Sequence, residues 1–190
     1  MLILLRRELA SFFHSPVAYA VGALFLAVQG TLFWGLVQVL ADPSQPAPFG
    51  AVLSSFFGGQ VLYWLITFIV VAVATMRLFA EERRLGTWET LMTAPVSDRD
   101  VVVAKWLAAT AFAALLWLPT LSYPLLISTL APPGAELDLG VVAASYVGVI
   151  VQMGAFVAVG AAASAATKTQ MVAAAIALLT LVGLLLLGQL

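Results

Sequence analysis

The sequence predicts an all-α, polytopic helical membrane protein with its N-terminus in the cytoplasm. Three observations predict it. Of 190 residues, 63% are hydrophobic and only 9% charged, against about 25% charged in soluble domains; the mean hydropathy is +1.10. Apolar runs of spanning length, about 20 residues, occur near 17–40, 54–76, 102–130, 140–163 and 170–190. Every Lys and Arg falls on one side of the topology these runs imply: Arg6, Arg7, Arg77, Arg83, Arg84, Arg99, Lys105 and Lys168. Positive residues mark the cytoplasmic side. The opposite connections, ADPSQPAPFG and APPGAELDLG, carry only Asp42, Glu136 and Asp138. A membrane β-barrel would need segments of about ten alternating residues, which these long, all-round apolar runs are not.

Residues 1–190 thus form one transmembrane domain. The stretch MLILLRRELASFFHS precedes the first span. Leu2, Leu5, Leu9, Phe12 and Phe13 can line one face of an interfacial helix over 1–15, a reading preferred to a plain cytoplasmic extension of the span. Pro16 suits the start of the next helix, where its missing N–H costs little. The first apolar run exceeds the roughly 7–15 residues of a secretory signal, so it reads as a retained anchor. The second span ends where the charges of Arg77–Lys105 begin. Pro119 and Pro124 should bend the third span. In the fourth, Gly160 and Ser164 at small-xxx-small spacing permit close helix approach, within the molecule in preference to a dimer seam. The fifth runs to Leu190 without a polar tail, so a C-terminal truncation with a further span missing is expected.

Chemistry of its own is not expected. There is no cysteine, which excludes disulfides and thiol catalysis. His14 is the single histidine, too few for a zinc site or a Ser–His pair. With Lys105 counted in the charged connection, no acidic or basic side chain is expected within a span, which argues against an ion-coupled transporter. Trp64, Trp106 and Trp117 read as packing or interface anchors. Gln29, Gln38, Gln60 and Gln152 either bond between helices or line a polar route. No G-x-x-x-x-G-K-[ST] loop occurs, so ATP phosphates are not cradled by that device. Net charge −1 says nothing about nucleic acid, and none is expected as a partner.

The stretch RLFAEERRLGTWETLMTAPVSDRDVVVAK holds most of the charge. It cannot lie in lipid, since each ion at the bilayer centre costs at least about 2.5 kcal/mol. Glu81 and Arg84, three apart, can pair locally. Gly86 can close one helix in the left-handed conformation, and Thr87 can cap a second, with Glu89 in its first turn. Trp88, Leu91 and Met92 would share an apolar face, and Pro95 stops it. Ser97 and Asp100 form a capping box that opens the third span. Two readings stand: a solvated loop that obeys the positive-inside rule, or an element on which a partner acts.

Two stretches carry a family resemblance. RRELASFFHSPVAY before a span resembles the start of ABC-2 type transporter permeases, closest to the gliding-motility-type GldF branch. FAEERRLGTWETLMTAPVSDRDVVVAKW is similar to that family's connection between helices two and three, through Glu81, Glu82, Gly86, Thr87, Glu89, Leu91, Pro95 and Lys105. The resemblance implies six spans in the intact permease, against five here. It implies a coupling helix at 81–95 that docks on a separate ABC ATPase subunit. The partner-binding residues would be Glu81, Glu82, Arg83, Arg84, Gly86, Thr87, Trp88, Glu89, Leu91, Met92 and Pro95. A second permease subunit would complete the exporter. ATP and Mg would sit on the ATPase, with no catalytic residue, metal or cofactor in this chain. A bacterial plasma (inner) membrane is the expected location. The rival reading is a non-transporting membrane assembly or anchoring subunit of a cell-envelope or gliding-type complex; a membrane-embedded enzyme would need polar groups at depth that are not found.

Overall fold

The computed structural model describes residues 1–41, 56–86, 97–130 and 138–188. Among these there is helix and turn but no strand. Eight α-helices follow one another: α1 Leu2–Phe13, α2 Pro16–Ala41, α3 Val61–Thr75, α4 Ala80–Leu85, α5 Asp98–Leu115, α6 Ser122–Leu130, α7 Leu139–Ala165 and α8 Gln170–Leu187. A 3-10 turn, Pro119–Leu121, joins α5 to α6. Among the described residues five stretches are long and apolar enough to cross a membrane: Pro16–Val39, Val61–Leu85, Asp98–Ile127, Leu139–Ala165 and Gln170–Leu187. These match the five spans expected, with boundaries shifted by a few residues except in the second, which was expected at 54–76 and runs from Val61 to Leu85, past the end of its first helix at Thr75.

The helix α3 is the axis of the bundle. It packs against α2, α5, α7 and α8. Accordingly Tyr63, Ile66, Thr67, Phe68, Val70, Val71, Ala72, Ala74 and Thr75 are all buried, and one face, Leu62, Leu65, Ile69 and Val73, is left exposed or half-buried. A membrane offers no hydrophobic drive between helices, so contact depends on shape and hydrogen bonds. Both are visible. Gly160 of α7 lies so close to α3 that a Cβ there would stand 2.8 Å from Thr75 Cβ and 2.9 Å from Thr75 Cγ2. The small-residue pair on the fourth span is therefore used inside the molecule. Tyr63 donates to Gln152 Oε1 across α3 and α7 at 2.6 Å. Trp106 donates from Nε1 to the Gly154 carbonyl at 2.8 Å, joining α5 to α7. Gln29 is fully buried, and among the described residues its amide has no hydrogen-bond partner. Gln38 is exposed.

The third span bends where its prolines predict. Leu118 donates to the Leu115 carbonyl, three residues back, at 3.2 Å, because Pro119 has no N–H to reach it. Pro124 likewise leaves the Thr120 carbonyl without its helical donor. The Tyr146 hydroxyl of α7 supplies one at 2.7 Å. Removing that hydroxyl deletes a buried hydrogen bond and leaves the carbonyl with the Ser122 N–H, a loss of about 0.5–1.5 kcal/mol. Tyr146→Phe is therefore expected to lower the unfolding midpoint in detergent, and a shift no larger than that of Tyr19→Phe, at an exposed site, would refute the assignment.

Candidate functional site: the charged end of the bundle

The basic residues gather at one end of the bundle, and the site is built there by three helices. The first is α1. Leu5, Glu8, Leu9 and Phe12 face inward at spacings of three and four, with Glu8 and Phe12 buried. Phe12 stacks on Phe112 of α5 at 4.8 Å between ring centroids. Leu2 and Phe13, expected on the same face, are exposed at 81% and 47%. At a helical 100° per residue both lie beyond Leu9 at the edge of the packed stripe, from where Phe13 still meets the Phe112 ring edge-on at 6.3 Å.

The second is α5. Ser97 caps it: its Oγ accepts from the Asp100 N–H at 3.2 Å and donates to Asp100 Oδ2 at 3.0 Å. This is the capping box read from sequence. Val101, Ala104, Lys105, Ala108 and Phe112 form its buried stripe. Lys105 is only 3% exposed. The expectation of spans free of ionisable groups is thus corrected: Lys105 lies inside the third span helix and is buried there. It is tolerated because it is paired. Its Nζ donates to Glu82 Oε1 at 2.8 Å, lies 3.2 Å from Glu8 Oε1, and sits 5.7 Å from the centre of the Phe79 ring.

The third is α4, the start of the charged connection. Glu82 reaches back to Lys105, with Arg7 also 3.7 Å away. Arg7 in turn bonds Glu8 at 2.8 Å. Two acids and two bases therefore close a neutral cluster that fastens α1, α4 and α5 together. The hydrogen bond that Arg7 donates to Glu8, with both carboxylates' charges adding, raises the Arg7 pKa above its ordinary value despite partial burial. Nearby, Arg77 donates to Ser15 Oγ at 2.7 Å, tying the end of α3 to the turn between α1 and α2.

Of the residues expected to bind a partner, Glu82 thus faces inward and holds the fold, while Glu81 is half-buried and Arg83 and Arg84 are exposed. Glu81 does not form the local pair with Arg84; Glu82 is the acid of α4 that pairs with Lys105 and Arg7. Gly86 has φ +71°, the left-handed conformation expected of a residue that closes a helix. Thr87, Trp88, Glu89, Leu91, Met92 and Pro95 lie outside the described residues. Sequence reading missed the role of Lys105, yet its phase with Val101, Ala104 and Ala108 could have shown it. It also missed Glu8 as a counter-ion. Among the described residues no three His, Cys, Asp or Glu side chains come together as a metal site.

This arrangement has no reacting group. It ties an amphipathic N-terminal helix and the root of a charged connection onto the third span. A family model described as "ABC-2 family transporter protein" matches residues 5–186, nearly the whole chain. The chain belongs to the ABC-2 transporter family. This ABC-2 protein is therefore a multi-pass membrane component of an ABC transporter, and not its ATPase. No curated protein and no solved structure matches the chain.

Proposed function

We propose that the chain is the permease subunit of an ATP-driven exporter, moved through residues 81–95 by a separate ABC ATPase. Closure of the ATPase dimer around ATP and Mg would push this segment, and tilting of the spans as rigid bodies would alternate access. A second permease copy would complete the pathway. The observation that carries the reading is the root of the connection: Glu82 is tied to α5 and α1 through Lys105, Glu8 and Arg7. A solvated loop has no need of buried ion pairs at its base, whereas a lever needs a stiff attachment. In this reading the basic end faces the cytoplasm of a bacterial cell, and the membrane is the inner one. A place in the gliding-motility-type branch rests on RRELASFFHSPVAY alone.

The test is co-purification with its cognate ABC ATPase. Trp88→Ala combined with Leu91→Ala removes the apolar face expected to dock. Truncating interface anchors of about 2 kcal/mol each should weaken the complex well over tenfold and abolish the permease's effect on ATP turnover. Unchanged association and turnover would overturn the coupling assignment. A stable complex whose turnover never responds to the wild-type permease would instead favour the anchoring subunit.

A further inference from the structure

The second span is broken between α3 and α4, and the break is held from the side. Thr75 ends α3; its Oγ1 bonds back to the Val71 carbonyl at 2.8 Å, a contact that tends to bend helices. Four residues of turn follow before α4 begins at Ala80. Phe79, at the N-cap position of α4, offers no side-chain cap. Both Phe79 and Ala80 are buried, at 4% and 0% exposed, so their N–H groups cannot turn to water.

A residue from the fourth span meets them. Ser164 Oγ accepts from Phe79 N–H at 3.1 Å and from Ala80 N–H at 3.2 Å. It donates to the Met76 carbonyl at 3.2 Å. A serine hydroxyl has one donor and two acceptor positions, and all three are spent on the break. One helical turn earlier on α7, Gly160 seats Thr75. The same strip of α7 therefore grips the last residue before the break and the first residues after it.

We propose that Ser164 is the positioning residue of this break: it locks α4 to α7, so that the root of the charged connection and the inner half of the fourth span move as one body. The break is then a held joint. Displacement of α4 is delivered sideways into α7, as well as along α3.

The chain has no cysteine, so labels can be placed singly. Spin labels at Leu85→Cys and Lys168→Cys, both exposed, report the distance between α4 and the end of α7 in nanodiscs. In the wild-type background the distribution should be narrow, and Ser164→Ala should broaden it about twofold as the freed joint samples alternatives. Ser164→Thr, which keeps the hydroxyl, should restore the narrow form. Equal widths with and without the hydroxyl would overturn the proposal. Hydrogen exchange on the unmutated protein gives a second measurement that does not need a folded variant. The Phe79 and Ala80 amides should be as protected as those of Val70 and Val71, and rapid exchange there would sink the idea.

The consequence for coupling rests on the exporter reading. With the ATPase bound, Ser164→Ala should leave association intact and remove the permease's effect on turnover, with Ser164→Thr keeping both. If the wild type never affects turnover, the exporter reading fails while the label distances still judge the joint. If Ser164→Ala couples as well as wild type, the joint's part in coupling is refuted.

Discussion

Lys105→Met is expected to destabilise the protein by about 3–5 kcal/mol, the usual result of removing one member of a buried ion cluster. The substitution keeps the stem's volume and deletes the charge. Glu8 would retain Arg7 at 2.8 Å, while Glu82 would lose its 2.8 Å bond to Lys105 and keep Arg7 only at 3.7 Å. In a chain of this size each kcal/mol shifts the midpoint by about 2–4 °C, so a fall on the order of 10 °C should be read in detergent. Removing the excess negative charge in Lys105→Met/Glu82→Gln should return part of the loss. Arginine is a poor substitute, because its planar fork demands a different geometry from a point charge. A loss under about 1 kcal/mol would mean that the cluster behaves like a surface pair.

Gly160→Ala is the second large effect. The new Cβ would lie 2.8 Å from Thr75 Cβ and 2.9 Å from Thr75 Cγ2. Neither atom is the end of a flexible side chain, so α3 and α7 must separate. Overpacking of this kind costs about 1–3 kcal/mol, and the upper end is expected, because the clash is with Thr75 Cβ, which is fixed to the backbone of the axis helix. Thr75→Ala removes Cγ2 and Oγ1 but leaves Cβ in place. The double variant Gly160→Ala/Thr75→Ala should therefore recover only part of the stability. Thermal unfolding of the two singles and the double decides it. Additive losses would show that the residues do not touch.

What the sequence made legible was local. Hydropathy over about 20 residues found every span. Ser97 with Asp100, Gly86 and the two prolines each act within one turn of themselves, and each does what its chemistry predicts. The Gly160–Ser164 spacing forecast a close approach, though not its partner. The missed features join residues far apart in the chain. Lys105 looked like loop charge because Asp98, Arg99 and Asp100 stand just before it, and only its helical phase gives away its burial. Glu82 looked like a surface acid because Glu81, Arg83 and Arg84 surround it. Its counter-ions come from helices that local pattern does not connect. Tyr146 found the carbonyl freed by Pro124, and Ser164 found the amides at the break, through a packing that only the folded bundle creates.

The ion cluster also sets an order of events during biosynthesis. Glu8 is made well before Lys105, which emerges only with the third span. At about 5–20 residues per second, the acid waits on the order of five to twenty seconds for its counter-charge. Until then the N-terminal helix has no dry place to go and must idle in the aqueous layer beside the membrane. A nascent chain arrested before Lys105 should leave that helix open to protease, and one arrested well after the third span has inserted should not.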